Sequence, residues 1–452
     1  MNITFRKFLF FLLIIILVSI SAHPNSSTRF GGYQLSASAS EISRSGGQDD
    51  ITGYISVGTD VSDDGKVSAD NAWRVRLFGP GMFYFYGLII SLIGLNAPLP
   101  LFILCISVFL WSFILYLYFY SLRNSKGILV ASLWLSIIIS CSWLSSTLLN
   151  ENLLGADNFA FVLFVYAIYA ASKSKGKKYL FVSGIAFGLI TLISARYYAL
   201  LVFGTIYVFS VFIFSASMAL LRKSSWSFMH DIRFKQMWTV LAVAFLVGVP
   251  WRIISSVSLN PGNYSLRASA YYWNQRWMSD QWMTDNGLQF LRDGGANSAC
   301  KVEPELCKRI NDFEVSNGSN FSGSGYSNDQ FRSLALDAYS EHPFAFAKNR
   351  FLNFVQSWFF LLKDPSPQTR FFQVVSFMSL VTCIAKGIAS ILHKRPFDLS
   401  VFALIALFSF VSPFSLYHIE YRYLQNIQIF SFAIIPFLFS SLKVSLREES
   451  HT

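Results

Sequence analysis

The feature that most constrains this chain is a series of long apolar runs separated by short basic clusters. A helix needs about 20 mostly apolar residues to cross the hydrocarbon core, where its backbone polar groups must pair within the helix. Only 13% of the 452 residues are charged, against about 25% in soluble domains. The sequence therefore predicts an all-α polytopic membrane protein. The apolar runs cover residues 7–22, 99–122, 127–148, 159–171, 180–193, 199–221, 238–249, 371–385, 401–414 and 427–442.

The net charge of +11 does not indicate a nucleic-acid partner, because the basic residues lie in short clusters between apolar runs. This is the pattern of cytoplasmic loops under the positive-inside rule. The clusters occur around residues 123–126, 173–178, 222–235 and 386–395. We expect each to face the cytoplasm, and the intervening acidic or weakly charged turns to face the opposite side.

One further apolar stretch, Pro80–Ala97, does not fit this alternation as a span. Counting it would invert every later loop and place the lysine clusters outside. We therefore predict that Gly81–Leu95 is a helix lying in the outer interface, where its run of aromatic residues, Phe83–Tyr86, suits the headgroup region. Ten spans remain, or nine if residues 1–22 are a cleaved signal peptide rather than the first helix.

These assignments divide the chain into a membrane bundle with two outer insertions. The two hydrophilic pieces, 23–79 and 258–345, carry little helix or strand periodicity before about residue 329, after which an amphipathic helical pattern runs to 359. The predicted segments are a first transmembrane helix 1–22, a first outer loop with interfacial helix 23–98, a bundle 99–257, a large outer loop with juxtamembrane helix 258–370, C-terminal helices 371–443 and a cytoplasmic tail 444–452.

The five cysteines divide by location. Cys105, Cys141 and Cys383 fall in apolar runs, where cysteine is a small apolar filler. Cys300 and Cys307 fall in the large outer loop, and an oxidising compartment would allow a disulfide between them. No nearby histidines complete a zinc site, so we predict neither a metal nor another cofactor.

Charged residues collect at the outer ends of the spans, not within them. Motifs typical of soluble enzymes, such as a phosphate-binding loop or a nucleophile elbow, are absent from the sequence. Arginines can bind a phosphate bidentately and a carboxylate can act as a general base, so this arrangement suits a lipid substrate with a charged headgroup. The residues are Asp49, Asp50, Arg74, Arg76, Glu151, Asp157, Arg196, Arg252, His342, Glu420 and Arg422.

Several of these residues lie in stretches that resemble a known family. Asp50-Ile-Thr-Gly-Tyr54, then Gly65-Lys66, then Arg76-Leu-Phe-Gly-Pro-Gly-Met-Phe-Tyr-Phe85 resemble the first outer loop of GT-C membrane glycosyltransferases of the protein-mannosyltransferase and aminoarabinose-transferase branch. The glycine element here reads Gly-Pro-Gly-Met where that branch commonly has Pro-Gly-Tyr-Pro. Further stretches resemble the family in the expected order: Asn150-Glu151, Gly184–Arg196, Ala338–Arg350 and Tyr421-Arg422.

The resemblance implies transfer of a sugar from a polyprenyl-phosphate carrier to a glycan, lipid or protein acceptor on the outer face of the membrane. It maps the catalytic base onto Asp50, with Asp49 second. Arg196, Arg74 and Arg422 become candidates to hold the departing phosphate, while Tyr54, Arg76, Glu151 and His342 are further candidates for substrate binding. The expected location is a bacterial inner membrane with the site facing the periplasm or exterior.

Each of these residues also has a plainer explanation. Asp49 and Asp50 can be solvated loop residues, Glu151 can be a helix-start carboxylate favoured by the helix dipole, and His342 can be a helix cap. Arg196 can mark the end of a span, and Arg422 can pair with Glu420.

Two other functions compete with glycosyl transfer. A polymerase or ligase of lipid-linked polysaccharide would depend on arginine and histidine residues in the large loop 258–345. A lipid-linked oligosaccharide flippase or other transporter would need repeated halves or charged groups deep in the bundle, and the sequence contains neither pattern.

The predicted topology can be tested with reporter fusions. A reporter fused after Asn96 should lie outside, and one fused after Ser125 should lie in the cytoplasm, because the helix beginning near Leu99 is the first full span after the outer loop. Alkaline phosphatase and fluorescent-protein activities measure the two sides. A cytoplasmic signal at Asn96 would contradict the interfacial helix.

Overall fold

We describe the chain from a computed structural model. The structure describes residues 3–22, 29–30, 33–45, 50–68, 75, 79–140, 156–172, 177–193, 197–222, 232–258, 343–344, 358–359, 367–393, 400–401, 403–409 and 427–438.

Apart from one small hairpin, the regular elements in these ranges are α-helices. The hairpin pairs β1 (Arg29–Phe30) with β2 (Tyr33–Gln34) in antiparallel register. The helices are α1 (Ile3–Ala22), α2 (Ala39–Arg44), α3 (Asp50–Asp64), α4 (Pro80–Ile93), α5 (Leu99–Lys126), α6 (Ile128–Ser140), α7 (Ala156–Ser172), α8 (Lys177–Ile193), α9 (Tyr198–Arg222), α10 (Ile232–Ser258), α11 (Pro367–Leu392) and α12 (Ile427–Leu438). Residues 403–409 are also helical.

The chain divides into two compact units. The first comprises Met1–Pro250, Val375–Ser409 and Gln425–Thr452, and contains most of the described residues. The second comprises Trp251–Val374 and Phe410–Leu424. Within the second unit, the fully buried Trp358 donates its indole N–H to the Gln373 carbonyl oxygen at 3.1 Å.

Two helices in the described ranges are long and apolar enough to cross a bilayer, Leu99–Lys126 and Thr369–Leu392. Several shorter described helices are also apolar; all but Pro80–Ile93 fall within or overlap the predicted runs, and Pro80–Ile93 corresponds to the predicted interfacial helix. Helix α1 is 20 residues long and leaves many large apolar side chains uncovered. These exposed residues are Phe5, Phe8, Leu9, Leu12, Leu13, Ile16, Leu17 and Ile20.

The first hydrophilic piece contains more regular structure than its sequence pattern indicated. Helix α2 begins with a capping box, in which the Ser38 backbone N–H donates to the Glu41 carboxylate at 2.8 Å and the Glu41 backbone N–H donates to Ser38 Oγ at 3.2 Å. Helix α3 then follows within the same piece. The expectation of little helical pattern was therefore wrong for the first piece, 23–79, while residues 259–329 lie outside the described ranges. Helix α2 begins at its cap, and α3 carries apolar residues at helical spacing, Ile51, Tyr54, Ile55 and Val61, which the sequence interpretation overlooked.

The capping box also makes α2 sensitive to acid. The hydrogen bond from the Ser38 backbone, followed by that from its side chain, lowers the pKa of Glu41 below its usual value. Since the pKa is lowered on folding, this contribution to stability is present at neutral pH and is lost as the pH falls through the lowered pKa.

Ring contacts fix the relative directions of three bundle helices. Trp111 stacks on Phe161 and Phe113 contacts Tyr166, so α5 and α7 run parallel. Helix α8 runs antiparallel to α7, because Ser183 Oγ donates to the Ala167 carbonyl oxygen while Phe187 contacts Phe164. The starts of α5 and α7 and the end of α8 therefore lie at one end of the first unit. We call it the Leu99 end, and the opposite end the Lys126 end.

Helix α4 has both of its termini at the Leu99 end. The glycines at its start contact Leu192 at the end of α8, and Phe85 packs against Phe159 near the start of α7. Its last residue, Ile93, is joined to the start of α5 by only five residues, 94–98. Helix α4 therefore does not run from one end of the bundle to the other, although it is as apolar as the helices that do.

Helices α8 and α10 pack closely through glycines spaced four residues apart. A Cβ at Gly184 would lie 2.6 Å from Val243 Cβ, and a Cβ at Gly188 would lie 2.5 Å from Val247 Cβ. In α10, Gly248 similarly faces Thr191. Small residues at this spacing let two helix backbones approach closely, which is the usual means of helix association in apolar surroundings.

Replacing Gly188 with alanine should destabilise the protein by about 1–3 kcal/mol, because the new methyl group overpacks the contact with α10. Chemical unfolding of the purified protein in detergent measures the change. Gly204→Ala is the matched control: a Cβ there would meet only Leu241 Cδ2, at 3.3 Å. Alanine's higher helix propensity should leave the control neutral or more stable. Equal effects of the two changes would contradict the packing explanation.

Candidate functional site

Helices α3 and α4 lie parallel with a constant register of 29 residues. Ser91 Oγ donates to Ser62 Oγ at 3.2 Å across a separation of 29. The same separation joins Tyr54 to Phe83, whose ring centroids are 5.0 Å apart. It also joins Gly58 to Gly87, where a Cβ on Gly58 would come within 3.1 Å of the Gly87 nitrogen. This register sets Asp50, the first residue of α3, level with Gly79 at the start of α4.

Gly58 and Gly87, which are paired in this register, allow α3 and α4 to pack closely. A Cβ at Gly87 would lie 2.6 Å from Val61 Cγ1, and one at Gly58 would lie 2.8 Å from Tyr86 Cβ. Larger side chains would separate α3 from α4 and remove the tight register. The register that aligns Asp50 with Gly79 therefore depends on these small residues.

The start of α4 packs on the end of α8. Gly79 precedes α4 with φ of 98°, which glycine adopts without a steric penalty. A Cβ there would lie 2.5 Å from the Leu192 carbonyl oxygen, and one at Gly81 would lie 3.0 Å from the same atom. Leu192 is four residues before Arg196 in the sequence, and Gly79 is three residues after Arg76. We call this region, the contact of Gly79 with Leu192 and the start of α3 at Asp50 level with it, the motif junction.

The hydroxyl of Tyr33 links the end of α2 to the first turn of α3. It hydrogen bonds with Ser45 Oγ at 3.0 Å and with Thr52 Oγ1 at 2.9 Å, and either atom of each pair can donate. Ser45 ends α2 and Thr52 lies in the first turn of α3. The two bonds thus hold together the flanks of the segment that contains Asp49 and Asp50. Sequence reasoning did not single out Tyr33, because neither of its partners is adjacent to it in the chain.

Two buried tyrosines, Tyr54 and Tyr86, pack between α3 and α4 beside the motif junction. Tyr54 is 3% exposed, with its ring against Phe83 and Tyr86. Burial, and secondarily the neighbouring Tyr54, raises the pKa of Tyr86 well above its usual value, so its phenol stays neutral. In this structure the predicted substrate-binding residue Tyr54 supports the contact between α3 and α4.

Of the predicted site residues, Asp50 is described through its backbone, as the first residue of α3, and Tyr54 in full. The remaining residues lie outside the described ranges. They are Asp49, Arg74, Arg76, Glu151, Arg196, His342 and Arg422, together with Cys300 and Cys307 of the predicted disulfide.

The structure also contains an apolar cavity that the sequence did not predict. It has a volume of about 150 Å³ and is bounded by α5, α6, α7 and α12. One wall is fixed by Tyr118, whose hydroxyl donates to the Ala433 carbonyl oxygen at 2.8 Å. The aromatic residues lining it, such as Trp111, Phe161 and Phe430, fall in separate apolar runs. The sequence of one apolar run does not indicate that the helix formed by another run will leave a cavity beside it.

Within the described ranges, no group of three or more histidine, cysteine, aspartate or glutamate side chains is placed to hold a metal ion. In comparisons with known proteins, no family model, curated protein or solved structure matches this chain.

Tyr33→Phe should remove both hydrogen bonds and destabilise the α2–α3 segment by about 1–3 kcal/mol, because the Thr52 hydroxyl loses its partner in a nearly buried position. Hydrogen–deuterium exchange should show faster exchange in the amides of α2 and the first turn of α3. Tyr84→Phe provides the control, since Tyr84 is 46% exposed. Unchanged exchange in the Tyr33 variant would contradict the bracing role.

Proposed function

We propose that this chain is a polytopic membrane glycosyltransferase of the GT-C type, which transfers a sugar from a polyprenyl-phosphate donor to an acceptor on the extracytoplasmic face. The motif junction is the observation that carries the proposal. Three stretches that resemble the family come from separate parts of the sequence: the register of α3 and α4 sets Asp50 level with Gly79, and Gly79 packs against Leu192.

The membrane part of the proposal is supported by the surface of the bundle. Helix α1 exposes a row of large apolar side chains, and α5 and α11 have the length and composition of spans. Hydrocarbon chains can cover such surfaces without the cost of hydrating them. The two termini of α4 lie at one end of the bundle, which suits a helix in the outer interface, not a span.

The proposed reaction needs a base more than an acid. Asp50 would accept the proton of the acceptor hydroxyl as its oxygen bonds to the anomeric carbon of the sugar. The bond between that carbon and the phosphate oxygen breaks, and its electron pair leaves with the polyprenyl phosphate. The departing group is already anionic, so it needs positive charge and no proton. Arg196, with Arg74, Arg76 and Arg422, would supply that charge.

The uncharged nature of the buried polar side chains argues against an ion-coupled transporter. Among the residues whose side-chain burial the structure describes, the buried polar side chains are serine, threonine and glutamine, and no aspartate, glutamate, lysine or arginine is buried. Proton- and ion-coupled carriers place ionisable groups inside the bundle. The polymerase alternative depends on the arginine and histidine residues of the large loop, and these lie outside the described ranges.

Asp50 also begins a helix, where a carboxylate interacts favourably with the free backbone N–H groups. A structural role must therefore be separated from a catalytic one. Asparagine caps helices about as well as aspartate but cannot accept a proton at neutral pH, so Asp50→Asn distinguishes the two roles.

Asp50→Asn should lower sugar transfer by about a hundredfold or more, the usual loss when a general base is removed. Binding of the lipid-linked donor should change little. Transfer of radiolabelled sugar from synthetic polyprenyl-phosphate sugars to acceptor measures the first effect, and donor binding to the purified protein measures the second. Asp63→Asn, an exposed residue of the same helix, is the matched control and should retain full transfer.

Near-normal transfer by correctly inserted Asp50→Asn protein would refute the assignment of the base. If Asp49→Asn were then inactive, the base would be the preceding residue. If both variants were active, the polymerase reading with its large-loop arginines would replace the one proposed. Arg196→Ala should show the opposite pattern, with weakened donor binding.

A further inference from the structure

The apolar cavity lies away from the motif junction. Along α5 its lining begins at Trp111, 12 residues and so about 18 Å from Leu99. It extends to Ser121, five residues and so about 7.5 Å from Lys126. Along α5 the cavity therefore lies nearer the Lys126 end, whereas the motif junction lies at the Leu99 end. The two sites would face different leaflets of a bilayer.

The cavity suits a hydrocarbon chain. Its walls are almost wholly aliphatic and aromatic, and it is partly open. An apolar space of about this volume in a protein interior stays dry and accepts small hydrocarbons. Protein interiors otherwise contain few voids larger than a water molecule, so a ligand that fills this one regains the lost packing contacts.

Basic residues outnumber acidic ones in the segments that adjoin the Lys126 end in sequence. Arg123 and Lys126 end α5, and Lys178 lies in the first turn of α8. The sequence contains no aspartate or glutamate from 71 to 150 or from 158 to 230, the stretches that form α5, α6, α8, α9 and most of α7. Arg123 itself lies over the Tyr120 ring, 5.9 Å from its centroid. The positive charge at this end thus favours an anionic headgroup at the bilayer surface.

A polar group also marks this end of the cavity. Ser121 Oγ lines the space, is shielded from solvent and has no hydrogen-bond partner among the described residues. Tyr169 lines the same end. The ester region of a phospholipid lies between its chains and its headgroup, and it can accept a hydrogen bond from such a hydroxyl.

We propose that the cavity holds a segment of one acyl chain of an anionic phospholipid from the leaflet at the Lys126 end, with its headgroup near Lys126, Lys178 and the other cations of that end. The apolar walls bind the chain, and the unbalanced positive charge selects the headgroup. This lipid is distinct from the proposed sugar donor, whose phosphate would bind at the Leu99 end.

The test compares lipids added to the full-length purified protein in detergent. Phosphatidylglycerol should raise the melting temperature by about 3 °C or more, and phosphatidylcholine with the same acyl chains should have less effect. Val165→Phe fills the cavity from α7 and should abolish the response. Val182→Phe places the same bulk on the exposed surface of α8 and should retain it.

The proposed headgroup site is tested by a double variant, Lys126→Gln with Lys178→Gln. In lipid titrations this variant should show at least a threefold smaller preference for phosphatidylglycerol over phosphatidylcholine. Lys66→Gln, in the loop after α3, should leave it unchanged. A photoreactive phosphatidylglycerol with its label in the acyl chain should crosslink α5, α7 and α12 in the unaltered protein, which tests the site even if Val165→Phe fails to fold.

Three results would overturn the proposal. They are an equal response to phosphatidylcholine, a full response in Val165→Phe, and crosslinks confined to other helices. A response to polyprenyl phosphate but not to phosphatidylglycerol, abolished by Val165→Phe, would instead assign the cavity to the donor. None of these measurements depends on sugar transfer, so failure of the proposed activity would remain distinguishable.

Discussion

Close backbone approach at glycine is the interaction on which the described architecture depends most. Gly184 and Gly188 let α8 lie against α10, and Gly58 and Gly87 let α3 lie against α4. Gly79 then brings the start of α4 onto the Leu192 carbonyl. A methyl group at any of these positions would meet an atom of the neighbouring helix at less than van der Waals distance. One kind of contact therefore builds both the bundle and the layer of helices at its Leu99 end.

This layer has a functional consequence. The register between α3 and α4 is fixed by paired glycines, paired serines and the Tyr54–Phe83 contact, so the position of Asp50 follows from packing several turns away. Tyr33 adds a brace from outside the helices. A group that must take a proton from an acceptor in a defined geometry benefits from such support, because misplacement of about 1 Å can cost much of the rate.

The two proposed lipid sites occupy opposite ends of the first unit. At the Leu99 end, the start of α4 packs on the end of α8 and the start of α3 lies level with it, and this is where the proposed sugar transfer would occur. At the Lys126 end, an apolar cavity lies beneath cations, which suits a retained phospholipid. The length of the helices separates the two sites, because the 28 residues of α5 run from one end of the unit to the other.

The sequence by itself determined where most of the helices lie, because an apolar run of sufficient length is a local property. The bounds of α1, α5, α7 and α8 agree closely with the predicted runs. The sequence interpretation missed α2 and α3, although Ser38 and Glu41 have the spacing of a capping box and the apolar residues of α3 recur at helical spacing. The register that aligns Asp50 with Gly79, the bracing by Tyr33 and the cavity beside Tyr118 were decided only by the tertiary structure. Each requires residues distant in the chain to meet, and the spacing of residues within one segment carries no information about which other segment will lie against it.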